Sequence, residues 1–182
     1  MTDASRESAS RKSASRKSWP DAHIPDQSGR TVIITGANSG LGADTAKALA
    51  ARGAQVILAC RNTDKADQVA AQIGPAATVR ELDLADLDSV RRFADSVDAA
   101  DILINNAGIM AVPLRRTAQG FESQMGTNHL GHFALTALLL PKISDRVVTL
   151  SSFMHLLGRI KLDDLNWERR IYRRWHAYGD SK

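Results

Sequence analysis

One cysteine, Cys60, is all that the 182 residues contain, so neither an intramolecular disulfide nor a multi-cysteine zinc site can form. So few thiols fit a reducing compartment, and a cytoplasmic location is expected. No apolar run approaches the 18 or so residues of a membrane span; the longest candidate, Ala134–Leu140, includes a threonine. The first thirty residues lack the apolar core of a secretory signal. Asp3, Glu7 and the absence of leucine there also argue against a transit peptide. Aromatic residues make up only 5%. A strong charge excess is missing too. The net charge is +4, and Arg6, Arg11, Lys12, Arg16 and Lys17, set against Asp3 and Glu7, put most of it on the first twenty residues. A protein that grips nucleic acid keeps its positive charge on the folded domain, so that class is disfavoured.

What is present suffices for one core, with 43% hydrophobic residues. Residues 8–18 read S-A-S-R-K-S-A-S-R-K-S. Such a segment has too little apolar surface to offset its ordering entropy, so residues 1–27 are expected to form a disordered basic tail. Attraction to anionic surfaces is the alternative to a merely solvated tail. Trp19, Pro20 and Pro25 mark the passage into a folded domain over residues 28–182.

From Gly29 a rhythm sets in. Thr31–Thr35 is a short, nearly all-apolar run, as befits a strand buried on both faces. Gly40–Arg52 reads as a helix with Gly53 as its stop signal. Gln55–Cys60 is a second strand, and Asp64–Ile73 a helix ended by Gly74-Pro75. Thr78–Leu82 is the third strand, and Asp86 caps a helix running to about Val97. Asp101–Asn105 is the fourth strand. A longer helix follows, with Phe121, Met125, Phe133, Ala137 and Leu140 at helical spacing up to Pro141; Arg146–Leu150 is the fifth strand. Strands alternating with helices predict an α/β fold with a parallel, doubly wound sheet. Right-handed crossovers bring all strand carboxyl ends to one edge, and ligands bind there, where the first and fourth strands part.

The residues at that edge are chemically suggestive. Thr35-Gly36-Ala37-Asn38-Ser39-Gly40-Leu41-Gly42 carries glycines spaced G-x-x-x-G-x-G, which is not the G-x-G-x-x-G fingerprint. The physics is shared, because glycines let backbone turn tightly and approach a pyrophosphate at a helix N-terminus. Arg61 ends the second strand, where dinucleotide folds place an acid for a ribose hydroxyl or an arginine for a 2′-phosphate. A guanidinium forks onto phosphate oxygens, which favours NADP(H) over NAD(H). Asp83 and Leu84 are placed to flank an adenine; a cap-side acid explains Asp83 equally well. Asn105, Asn106, Ala107 and Gly108 read as a turn whose amides brace neighbouring strand ends. The fifth strand runs into Ser151-Ser152. Farther on, Tyr178 and Lys182 stand at i and i+4 on one helix face. An ammonium beside a phenol favours the phenolate, which suits Tyr178 to exchange a proton with an alcohol or carbonyl oxygen held by Ser152.

In this order, the glycine turn, N-N-A-G, Asn128, the serine pair and Y-x-x-x-K resemble the short-chain dehydrogenase/reductase family. N-H-L-G-H-F at 128–133, A-C-R-N at 59–62 and L-G-R-I at 157–160 look like its retinol-dehydrogenase-like branch. The resemblance runs from about Gly29 to Lys182. It implies a Rossmann-type α/β/α domain binding NADP(H) and a small-molecule alcohol or carbonyl substrate. It implies catalytic roles for Asn128 (anchoring a water relay), Ser152 (orienting the substrate oxygen), Tyr178 (acid/base) and Lys182. Lysine would lower the tyrosine pKa and hold the nicotinamide ribose. Cofactor contacts are expected from Gly36, Ser39, Gly40, Leu41, Gly42, Arg61, Asp83, Leu84, Asn105, Ala107, Tyr178 and Lys182. Family members continue beyond Y-x-x-x-K, so the chain is expected to be the N-terminal part of a longer protein, lacking the C-terminal strands. A full-length form is open to homo-oligomer formation. A catalytically silent nucleotide-binding module is the competing class.

Other residues read more plainly. His129 and His132 have no third ligand nearby, so packing is preferred to metal and no metal site is expected. Cys60 reads as a small buried hydrophobe. Arg169, Arg170, Arg173 and Arg174 read as a solvated face rather than an anion trap.

Overall fold

The computed structural model describes residues 23–182. The expected tail lies outside the described residues as far as position 22. The domain boundary moves back by at least one residue from 28, because Gln27 is buried and its amide N–H donates to the Arg52 carbonyl at 2.8 Å.

Five strands form one parallel sheet: β1 (Thr31–Thr35), β2 (Gln55–Cys60), β3 (Ala77–Glu81), β4 (Ala100–Asn105) and β5 (Ile143–Thr149). Their order is β3-β2-β1-β4-β5, so β1 is central and the chain reverses direction of winding between β1 and β4. Helices α1 (Gly40–Ala50), α2 (Thr63–Ile73), α3 (Leu87–Asp95) and α4 (Gly131–Leu139) cover the two faces; a short α5 (Arg174–Asp180) follows. Alternation along β1 makes the three layers. Val32 and Ile34 pack with Ala43, Ala46, Leu58 and Val69 on one face. Ile33 packs with Val90, Phe93, Leu103, Leu135 and Leu139 on the other. Ile33, Ile34, Leu58 and Leu103 are fully buried, each stabilising the fold by roughly 1.5–3 kcal/mol.

The expected elements stand, with shifted ends. α1 stops at Ala50, and Gly53 at φ +95° closes the turn by donating to Ala50. β3 begins and ends one residue earlier than expected. Asp86 caps α3 by accepting from Asp88 N–H at 3.0 Å. β5 starts at Ile143, which pairs with Ala100 across a register shift.

The long helix needs a larger correction. It is a π-helical turn, Met125–Leu130, continued by α4. Phe121 precedes it, and Phe133, Ala137 and Leu140 are exposed rather than facing the core. The buried positions are Met125, Asn128, His132, Leu135 and Leu139. Gly131 decides the face: a Cβ there would collide with the Leu84 carbonyl, so the bare backbone seats against the loop that follows β3. The π-turn adds residues to the winding and rotates the apolar stripe away from where a continuous 3.6-residue period would put it. Among the described residues no helix is long and apolar enough to cross a membrane.

Candidate functional site

The β1–α1 turn is a cradle made by missing side chains. Gly36 (φ +66°) lies so close to Ala107 that a Cβ would come within 2.9 Å of its Cα. A Cβ on Gly42 would strike the Asn106 side-chain amide and stand 2.6 Å from the Gly36 carbonyl. Ser39 precedes α1 with extended backbone, its hydroxyl makes no capping bond, and the first turn holds no acid. The free amides and positive dipole end of an 11-residue helix therefore face outward beside a loose hydroxyl, a setting that suits a phosphate-bearing anion.

This turn forms one wall of a cleft of about 600 Å³. Gly36, Ser39, Leu41, Gly42, Arg61, Asp83, Leu84 and Ala107 all line it, as expected. Gly40 does not; it serves the turn through its φ of +52°. Arg61 is exposed and joins no ion pair among the described residues. Asp83 spends one oxygen on the Ala85 N–H at 2.9 Å. Asn105 is a correction. Its buried amide donates to Thr136 Oγ1 on α4 at 2.9 Å and to Thr149 Oγ1 on β5 at 3.3 Å, bracing the end of β4 against both beneath the cleft. Asn106 lines the cleft instead and donates to the Thr35 carbonyl at 2.8 Å. Arg115 and Arg116 also line it; they sit in an irregular loop whose path no local pattern in the sequence reveals.

Thr35, at the carboxyl end of β1, organises the floor. Its Oγ1 accepts from the Asn106 N–H at 2.9 Å and the Ala107 N–H at 3.0 Å. With two donors on the oxygen, its own proton goes to His132 Nε2 at 2.9 Å. The Asn128 main-chain carbonyl can only accept, so His132 Nδ1–H donates to it at 2.9 Å and the neutral ring keeps Nε2 as the acceptor. Desolvation lowers the His132 pKa to about 4. The folded state keeps this ring neutral where the unfolded chain takes a proton near pH 6.5, so stability falls as pH drops from about 6.5 towards 4. The full effect is roughly 3 kcal/mol, at 1.36 kcal/mol per pKa unit. Urea unfolding across that window should show a shallower loss for His132→Gln than for the unsubstituted protein; parallel profiles would contradict the buried neutral imidazole.

At the far end of the cleft the catalytic candidates gather around Gly108. Asn128 accepts from the Ile109 N–H at 2.8 Å and donates to the Ile109 carbonyl and to Ser181 Oγ, both at 2.9 Å. A Cβ on Gly108 would meet Lys182 Nζ at 3.2 Å and Asn128 Oδ1 at 3.4 Å, so ammonium and amide converge over this glycine. Burial lowers the Lys182 pKa. The ammonium lies 5.8 Å from the centre of the buried Tyr178 ring, and the Tyr178 hydroxyl has no hydrogen-bond partner among the described residues.

Ser152 opens a 3₁₀ turn, Phe153–Leu157, and its Oγ accepts from Met154 N–H at 3.2 Å. This turn packs on α5 by backbone contact: a Cβ on Gly158 would stand 2.7 Å from the Gly179 carbonyl. Ser151 Oγ also donates to the Lys182 carbonyl at 3.1 Å. Thus Asn128, Tyr178 and Lys182 are brought together, with Ser152 on the adjoining segment. None of the four lines the glycine cleft itself. Among the described residues no three potential ligands form a metal cluster; His129 is exposed and stacks on Phe133, while His132 points inward.

A family model described as short chain dehydrogenase matches residues 30–161. Retinol dehydrogenase 13 of Homo sapiens is 48% identical over 167 residues, covering 85% of this chain and 50% of its own length. Retinol dehydrogenase 12 of Mus musculus is 47% identical, with 85% and 52% covered. The chain thus spans about half the length of the curated relatives it matches. A solved structure from Mycobacterium paratuberculosis superposes with a TM-score of 0.88 at 63% identity, over 90% of this chain and 61% of that one. A short chain dehydrogenase from Escherichia coli CFT073, solved in complex with NADPH, gives 0.64 at 29% identity, over 85% and 66%.

Proposed function

The chain belongs to the short-chain dehydrogenase family, and from that premise we propose that it serves NADP(H)-dependent oxidation of an alcohol or reduction of a carbonyl. The observation that carries the reading is the convergence of Lys182 and Asn128 over Gly108, at the end of a cleft whose other end is a side-chain-free turn.

The residues fit a dinucleotide: the cradle at Gly36 and Gly42 is one that any Cβ would fill. The amides that open α1 and the Ser39 hydroxyl would hold the pyrophosphate. Arg61, at the rim and in no ion pair among the described residues, would take a 2′-phosphate, and Leu84 would flank the adenine. Bound there, the cofactor supplies or accepts the hydride. The protein handles the proton. Ser152 orients the substrate oxygen, and Tyr178 passes it a proton during reduction or takes one during oxidation. Lys182, held 5.8 Å from the centre of the Tyr178 ring and over Gly108, would hold the nicotinamide ribose. Asn128 holds the Ile109 backbone beneath this group, and its carbonyl is oriented by His132.

NADPH consumption measured against a panel of aldehydes and ketones, retinal among them, tests the reading. Carbonyl-dependent oxidation is the expected result for a form extended to the length of the relatives. Cofactor binding without oxidation on any carbonyl would favour a silent nucleotide-binding module instead.

A further inference from the structure

The arginine-rich stretch ahead of α5 does not behave as one solvated face. Arg169, Arg173 and Arg174 are exposed, but Arg170 turns inward and its side chain is only 21% exposed. Its Nη2 donates to Asp180 Oδ2 at 3.0 Å, and its Nε lies 3.4 Å from Asp164 Oδ2. The guanidinium carbon sits 3.5 Å above the centre of the Trp167 ring. Trp167 is itself buried, in a left-handed backbone conformation (φ +55°) that a bulky residue adopts only when its surroundings enforce it.

Both carboxylates also tie down backbone. Asp164 accepts from Glu168 N–H at 2.7 Å and Arg169 N–H at 3.2 Å. Asp180 accepts from Arg159 N–H at 2.7 Å. One partly buried arginine therefore joins three pieces of chain: the segment that follows Ser152, the loop from Leu162 to Arg170, and the last turn of α5. A second tie holds the other end of α5, where Gln124 Nε2 donates to the Arg174 carbonyl and to the Tyr172 hydroxyl, both at 2.9 Å.

We propose that Arg170 is a positioning residue, which through Asp180 fixes the last turn of α5 so that Tyr178 and Lys182 face Ser152 and Gly108. The proposal rests on the catalytic roles assigned above. Asp180 lies between Tyr178 and Lys182 in sequence, so displacing it moves both. Buried ion pairs are weak stabilisers but can specify a single arrangement. A shift of about 1 Å in a catalytic group costs on the order of 100-fold in rate.

The test compares Arg170→Gln, Arg170→Lys and Asp180→Asn, the last keeping an acceptor for Arg159. Arg170→Gln is expected to lower kcat about 100-fold with KM within about threefold. Lysine, which keeps the charge but loses the fork, should recover about a tenth or more of the original rate. Asp180→Asn should lose rate as Arg170→Gln does, with little change in unfolding temperature. Independently of turnover, hydrogen exchange at Ala177–Lys182 should accelerate about tenfold in Arg170→Gln, less in Arg170→Lys, and not in β1 or β4. Unchanged kcat in the glutamine variant, or equal losses for glutamine and lysine, would overturn the proposal; so would unaltered exchange in α5. If the unsubstituted chain reduces no carbonyl, the functional reading fails alone, and the exchange measurement still decides the role of Arg170.

Discussion

Tyr178→Phe lowers turnover by about 10²- to 10⁴-fold while NADPH affinity stays within about twofold; this is the expected result if Tyr178 is the acid/base. Phenylalanine fills the same buried space, and the deleted hydroxyl has no partner among the described residues, so no group is left unsatisfied. Folding stability should therefore move little, and the loss is chemical rather than structural. Lys182→Ala provides the contrast. The ammonium stands over Gly108 and near the Tyr178 ring, so its removal should weaken cofactor binding and turnover together. Steady-state kinetics with NADPH titrations on both variants separate the two roles. A phenylalanine variant that keeps more than a tenth of the rate would remove Tyr178 from the mechanism.

Arg61→Asp should invert cofactor choice. The unsubstituted guanidinium is exposed at the cleft rim and joins no ion pair among the described residues, so a 2′-phosphate gains a charge-assisted contact of about 1.5–3 kcal/mol. That corresponds to roughly ten- to a hundredfold tighter binding of NADPH than of NADH. Aspartate repels the phosphate and can accept from a ribose hydroxyl, which favours NADH. The exchange disturbs little else, because residue 61 precedes the Asn62 cap of α2, where the helix dipole tolerates a negative charge. Fluorescence titration with both cofactors checks it. Equal affinities in the unsubstituted chain, or a preference for NADH, would refute the role given to Arg61.

Much of this site can be read along the chain because its signals are local. The glycines at 36, 40 and 42 announce a turn wherever they occur, and Asp86 announces a helix start. Lys182 follows Tyr178 by four residues, the spacing of one helix face, although α5 ends at Asp180 and the last two residues leave the helix. Asn105 and Asn106 show where locality ends. They are adjacent and chemically identical, yet pleat direction sends one amide beneath the sheet and leaves the other at the cleft. That choice depends on the register of β4 against β1 and β5.

The sequence by itself determined the alternation of strands and helices, the parallel sheet and the edge where ligands bind. These follow from periodicity, and periodicity is a property of neighbours. Only the tertiary structure decided which face of α4 is buried, because the bare backbone of Gly131 seats against Leu84 where any Cβ would collide. It alone joined Thr35 to His132 across 97 residues. It also alone drew Arg170 out of a run of like residues to meet Asp164 and Asp180. A charged side chain turns inward only where folded backbone supplies opposite charge and excludes water, and no count of residues along a chain records where that happens.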